Sequence, residues 1–326
     1  MSELIAAWLD HHEGKVSSKN FNHYEQVATA FLDSGLYDMN TSEFTPRRLK
    51  ELREFLIEQG LARSTINQRI GRVKKLFKWG VSEEMVSPSI MSALYAVDGL
   101  RKGETTAADP KSRPPVSFER VDEVRQYLPP VVTGMLELQW LTGMRSANIC
   151  DMTLSQIDQS DDVWIYRPSS HKGLWRGKGL AIPIGPNCQK IIKAAISGRS
   201  QESPIFRPVD AVKWHSENNK QFISWVNREA GEWYTPNTYR QSVMRAQARA
   251  AGLSITRKLP TKEEFLSAGW IPWTPYQLRH AAITKLRQQY SLEDVRAYIG
   301  HSTVQATEIY SDHDIATAKR IALDNG

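Results

Sequence analysis

The sequence predicts a mainly α-helical protein with one small β-sheet. A helical N-terminal domain is joined to an α+β C-terminal domain. Three observations carry this. Apolar residues recur at helical spacing through the first hundred residues. The pattern lapses over GLRKGETTAADPKSRPPVS, Gly99 to Ser117, a stretch of Gly, Thr, Pro and charge without an apolar period. Beyond it only two short runs, Val163-Trp164-Ile165-Tyr166 and Leu180-Ala181-Ile182-Pro183-Ile184, have strand character, and the rest reads helical. The expected divisions are 1–100, a linker over 101–116, and 117–326. At 326 residues each part is long enough to bury a core of its own.

In chain order, Ile5, Trp8 and Leu9 mark a first short helix, and Tyr24, Val27, Ala28 and Phe31 a second. Thr45-Pro46 opens a third, with proline at the tolerated first position and Leu49, Leu52, Phe55 and Leu56 along one face. Ser64 is placed to cap a fourth and Gly80 to end it. After the linker come a helix near Phe118–Tyr127 and a buried one near Val131–Leu141. Gly143 can stop the latter in a left-handed turn, and Ser146 can cap the next. Thr274-Pro275-Tyr276-Gln277 and Ser302-Thr303-Val304-Gln305 are capping-box starts. A last amphipathic helix fits Asp314 to Ala322, docked on its own domain or on a neighbouring copy.

Composition narrows the function classes. Hydrophobic content of 40% and charged content of 24% are ordinary for a globular chain. No apolar run reaches the roughly 18 residues of a membrane span, and the N-terminus lacks a secretory pattern, so a cytoplasmic protein is expected. Cys150 and Cys188 have no metal spacing and read as reduced thiols. Net charge of +6 favours a polyanionic partner. Its distribution is more telling, because no acid stands between Glu58 and Glu83 while Arg63, Arg69, Arg72, Lys74, Lys75 and Lys78 accumulate. That is the footprint of phosphate contacts. The linker cations Arg101, Lys102, Lys111 and Arg113 suit a strap along a polyanion or an ordinary solvated linker.

The residues with reactive character lie in the second domain. Helical spacing sets Tyr276, Arg279, His280 and Ile283 along one stripe, a mixture that pure core does not require. His301 precedes a helix start and Tyr310 follows nine residues later. A tyrosine has a free pKa near 10 and needs neighbouring positive charge or a base to attack as phenolate. Two arginines can hold a phosphate and stabilise the charge that develops on it. Arg145, at a break after an apolar helix, is the candidate partner of Arg279. Lys172, in the turn between the two strands, can act as a general acid, with Lys178 its competitor or a phosphate contact. The loop Gly173 to Gly179 has the wrong glycine spacing for a nucleotide-phosphate loop, and neither a metal nor another cofactor is expected.

Taken together, these motifs resemble the tyrosine recombinase, or phage integrase, family. Thr142-Gly143-Met144-Arg145-Ser146-Ala147-Asn148 is similar to its T-G-x-R-x-x-E box, with Asn148 replacing glutamate. Tyr276-Gln277-Leu278-Arg279-His280 is similar to H-x-L-R-H, with Tyr276 replacing histidine. Ile299-Gly300-His301 matches L-G-H, and Thr307-Glu308-Ile309-Tyr310 the nucleophile box. The resemblance implies an N-terminal core DNA-binding domain and a C-terminal catalytic domain. It assigns catalysis to Arg145, Lys172, Tyr276, Arg279, His301 and Tyr310, and support to His280 and Asn148. It sets Arg63, Arg69, Arg72, Lys75, Lys78 and Lys178 against DNA. It further implies a site-specific recombinase, such as the integrase of a mobile element, working through a 3′-phosphotyrosyl intermediate without metal or nucleotide. Its partners would be double-stranded DNA carrying specific recombination sites and three further copies in a tetramer, with accessory DNA-bending proteins. The setting would be a prokaryotic cytoplasm, at the nucleoid. A type IB topoisomerase-like relaxer and a DNA-binding protein without catalysis are the alternatives.

Overall fold

The computed structural model describes residues 1–109, 114–169, 180–196, 198–218, 230–255, 258–299 and 312–326. The chain divides into two compact units, Met1–Ser112 and Arg113–Gly326.

The N-terminal unit is all-helical: α1 (Ser2–His12), α2 (Ser18–Asp33), α3 (Pro46–Glu58), α4 (Arg63–Ser82) and α5 (Pro88–Tyr95). Trp8, Val27, Phe31, Phe44, Leu49, Leu52, Ile66, Val73 and Phe77 fill its core. The ends of α4 differ from expectation in two ways. Ser64 does not cap it, since the helix begins after Ala62 with no side-chain cap. Gly80 does not end it either. The helix runs on to Ser82, and a Cβ at Gly80 would stand 2.6 Å from Leu4 Cδ1 and 2.8 Å from Val86 Cγ2. The glycine is there for close packing of neighbouring elements.

The stretch after α5 also differs from a free linker. Leu100 bonds Asn67 through both its amide and its carbonyl, at 2.8 and 3.0 Å. The Arg63 amide donates to the Ala108 carbonyl at 2.9 Å, and Ala107 is buried. Residues 99–109 are thus laid along α4, their polar backbone groups met by α4 side chains and backbone.

The C-terminal unit contains α6 (Phe118–Arg125), α7 (Pro130–Thr142) and α8 (Ser146–Cys150), then strands β1 (Ile157–Asp158), β2 (Trp164–Tyr166) and β3 (Ile182–Ile184). The sheet is antiparallel in the order β1-β2-β3, with Ile157 opposite Tyr166 and Trp164 opposite Ile184. Both expected strands form. The two-residue β1 is too short to leave an alternating pattern in sequence. Pro183 lies in β3, on an edge, where its missing N–H costs no ladder bond. Helices α9 (Pro186–Ala195), α10 (Pro208–Asn218), α11 (Pro236–Ala250), α12 (Lys262–Ser267), α13 (Pro275–Leu286), α14 (Leu292–Tyr298) and α15 (Asp312–Asn325) complete the unit. Cys150 and Cys188 are free and buried.

The tail helix α15 packs on its own domain, where Ala318, Ile321 and Ala322 join Tyr298, Val295 and Leu286 in one cluster. Lys319 pairs with Asp161, and Tyr290 donates to Asp324 at 2.9 Å. Asn325 donates to the Leu141 carbonyl at 2.7 Å. No helix among the described residues is long and apolar enough to cross a membrane.

Candidate active site

The site is organised around the end of α7. Gly143 stops that helix at φ +63°, the left-handed turn its sequence position suggested, and a Cβ there would meet Ile299 Cγ2 at 3.3 Å. Thr142 Oγ1 donates to the Leu138 carbonyl and accepts from the Met144 amide, which steadies the turn. Arg145 follows, extended at φ −72° and ψ 147°, as the residue that opens α8. It occupies the place expected of Ser146. The Ser146 hydroxyl instead accepts from Gln139 Nε2 at 3.1 Å.

Gln139 is the organising residue that local sequence reasoning passes over. Buried in α7, it donates to the Met144 carbonyl at 3.2 Å and to Ser146, while its Oε1 accepts from the Tyr239 hydroxyl at 3.0 Å. The Arg145 turn is therefore gripped from α7 on one side and α11 on the other. A glutamine inside the apolar run Met135-Leu136-Glu137-Leu138-Gln139-Trp140-Leu141 is the available signal, because a buried amide must find partners.

Arg279 comes from α13, which opens with the expected capping box: the Thr274 amide donates to Gln277 Oε1 at 3.0 Å. Gln277 Nε2 goes on to donate to the Pro114 carbonyl at 2.9 Å. The Arg279 side chain points inward and is 5% exposed. Its Nη1 donates to the Gly143 carbonyl at 2.6 Å, so the two motifs, 136 residues apart, share one hydrogen bond. Its Nη2 is buried with no hydrogen-bond partner among the described residues.

Electrostatics sets this arginine apart from a structural one. Burial pushes the Arg279 guanidinium down to about 10, the nearby positive charge of Arg145 lowers it further in the same sense, and Tyr276 acts the other way. It remains a cation at neutral pH, desolvated and set beside a like charge. No carboxylate pairs with Arg145 or Arg279 among the described residues. Two neighbouring guanidinium groups with no carboxylate partner among the described residues are chemically suited to receive a tetrahedral anion.

The remaining expected residues fall into three groups. Tyr276 is half exposed at the start of α13, its ring edge-on to His280 at 4.8 Å between centroids. Asn148 is buried in α8, and its carbonyl accepts from the Tyr166 hydroxyl at 2.8 Å. Lys172, Lys178, His301 and Tyr310, with the second capping box, lie outside the described residues.

Of the α4 cations, Lys75 and Lys78 are exposed and Arg72 is partly so. Arg69 donates to Gln26 at 3.3 Å. Arg63, expected among the phosphate contacts, turns instead to its own unit: it pairs with Asp109 at 2.7 Å and donates to the Leu100 carbonyl at 3.2 Å. Lys74 donates to the Val97 carbonyl. The outward stripe is thus Arg72 and Lys75, flanked by Arg69 and Lys78.

The family model described as the phage integrase family matches residues 123–316. The tyrosine recombinase XerC of Corynebacterium efficiens is 24% identical over 83% of this chain and 74% of its own length. The XerC of Bacillus subtilis is 22% identical over 78% and 72%. Among solved structures, a lambda integrase dimer bound to a COC′ core site superposes with a TM-score of 0.60 at 16% identity, covering 95% of this chain and 98% of that one. The Tn1549 transposon integrase in complex with transposon right end DNA gives 0.62 at 15%, covering 98% and 99%. Together with the shared bond between the two arginine motifs, these place the chain: it belongs to the phage integrase family, the tyrosine-type site-specific DNA recombinases.

Proposed function

We propose that this protein cuts and rejoins double-stranded DNA at specific sites through a 3′-phosphotyrosyl intermediate on Tyr310, as the integrase of a mobile element. The observation that carries the reading is the Arg145–Arg279 pair: two guanidinium groups, one of them buried, brought together with no carboxylate partner among the described residues.

On this reading the pair grips the non-bridging oxygens of the scissile phosphate, matching their charge most closely when it is greatest. Tyr310 gives up its phenolic proton to His301 or to water, its oxygen bonds phosphorus, and the bond from phosphorus to the 5′-oxygen breaks. Lys172 delivers the proton that makes that oxygen a 5′-hydroxyl, and His301 bonds the phosphate or relays a proton. A 5′-hydroxyl from a partner duplex then attacks the adduct and expels Tyr310. One phosphoester replaces another at each step, so no outside energy source is consumed. Tyr276 offers a hydroxyl where relatives carry an imidazole, its ring held by His280, and Asn148 supports the Arg145 segment. Arg69, Arg72, Lys75, Lys78 and Lys178 contact the DNA backbone.

A lambda integrase tetramer bound to a Holliday junction shares the fold at a TM-score of 0.58, which supports a tetramer on DNA as the working form. The setting is the cytoplasm of a prokaryote, at its nucleoid, with accessory DNA-bending proteins.

The test is a denaturing gel for covalent protein–DNA adducts, using nicked DNA from the region flanking the gene, with EDTA present and ATP omitted. An adduct with the wild type and none with Tyr310→Phe is expected. DNA binding without any adduct would sink the catalytic reading and leave a DNA-binding protein. Relaxation of supercoils without strand exchange between two labelled duplexes would point to a topoisomerase-like enzyme.

A further inference from the structure

The partly or fully buried arginines of the described residues form two populations by partner. Arg53, Arg63, Arg120, Arg125, Arg199 and Arg207 each lie within ion-pair distance of a carboxylate. Those without one among the described residues come in twos: Arg145 with Arg279, Arg69 with Arg72, and Arg245 with Arg249. The first of these is the candidate active site and the second belongs to the outward face of α4. The third has no role so far.

Arg245 and Arg249 stand one turn apart on α11, where like charges repel. Neither makes a hydrogen bond or an ion pair with a described residue. Burial lowers the pKa of both, and the charge of Arg249 lowers that of Arg245 further, the same pattern as Arg279 beside Arg145. His215 of α10 faces Arg249. Burial and that positive charge push the imidazole down to about 4, so it brings no third charge at neutral pH. The helix beneath is fixed: Tyr239 bonds Gln139, and Gln247 donates to the Trp273 carbonyl at 2.8 Å. Two cations kept partly out of water on a rigid helix, against their mutual repulsion, are a standing cost to the fold, and an anion offsets it.

We propose that Arg245 and Arg249 form a second DNA-phosphate grip on the C-terminal unit, with no part in the chemistry. It rests on the reading that this protein works on DNA. Because α11 also holds Gln139, and through it the Arg145 turn, a phosphate held here sets the register of the duplex relative to the scissile phosphate.

The test uses the full chain with both arginines changed to Gln, and a second protein with both changed to Lys. DNA affinity is measured on a duplex of about 30 base pairs between about 50 and 200 mM salt, alongside the melting temperature without DNA. For the Gln protein, the slope of log affinity against log salt should flatten by about 1.8, at about 0.9 for each phosphate no longer neutralised. The Lys protein should keep most of the slope, and neither should melt lower than wild type.

An unaltered slope in the Gln protein, while Arg72→Ala still flattens it, would overturn the proposal. So would a lower melting temperature in both variants, which would make the arginines structural. Stabilisation of wild type but not of the Gln protein by millimolar inorganic phosphate, with an unaltered DNA slope, would assign the site to a free anion instead. A wild type that binds no DNA would bring down the functional reading itself, a result distinct from these.

Discussion

Helices α4 and α13 both present arginines, and they treat them in opposite ways. On α4 the outward cations, Lys75 and Lys78 with Arg72 between core and solvent, ride the far side of a helix whose other side, Ile66, Ile70, Val73 and Phe77, is core. Their charge is screened by salt and their side chains are free to adjust. On α13, Arg279 is turned inward among Leu278, Ala281 and Ala282, its direction fixed by the Gly143 carbonyl. The first arrangement supplies attraction that adds phosphate by phosphate. The second supplies a charge whose position and desolvation are settled before any substrate arrives. Surface cations suit holding a polyanion, and a pair with one member buried suits stabilising one arrangement of charge over another.

The sharpest way to break the comparison is to remove the buried charge while keeping its volume. Arg279→Met is expected to abolish adduct formation, a loss of about 3–4 kcal/mol or more in the transition state, while the folded protein melts at the wild-type temperature or above. A large fall in melting temperature would mean the arginine is a structural group after all.

A smaller effect is expected from the turn that aims Arg145. Gly143→Ala adds a Cβ to a left-handed residue, 3.3 Å from Ile299, and should cost about 1–3 kcal/mol in thermal melts. Gly71→Ala is its counterpart on α4. That Cβ meets nothing within 4 Å, so the change should stabilise by about 1 kcal/mol. Equal effects at the two glycines would erase the distinction between a packed turn and an open helix face.

The smallest effect belongs to one surface cation. Arg72→Ala should flatten the salt dependence of DNA binding by about 0.9, roughly a threefold change in relative affinity across a fourfold salt range. Binding that matches wild type across that range would take α4 off the DNA.

What the sequence makes legible follows from how local each interaction is. The Thr274–Gln277 capping box and the left-handed Gly143 are written within four residues, and both form as expected. The α4 core stripe is equally local. Gly80 suggests a helix end because its packing partners are hidden from a local reading: its role depends on Leu4 and Val86, and Leu4 is distant in the chain. Arg63 looks like its basic neighbours, but its partner Asp109 is 46 residues away. Gln139 and Tyr239 are 100 residues apart, a bond with no local trace. In the candidate site, residue types announce the arginines, and only the fold shows that one of them is buried.

The carbonyl of Leu141, one of the orphan acceptors at the end of α7, receives bonds from the Tyr298 hydroxyl at 3.2 Å and from Asn325 Nδ2 at 2.7 Å. Its donors are made long after it: Asn325 is added 184 residues later. During synthesis, that carbonyl therefore waits for its last donor until the tail helix has emerged and docked. Order of manufacture thus reaches into the core of the unit, because the end of α7 gains its last bond only when α15 folds back onto it.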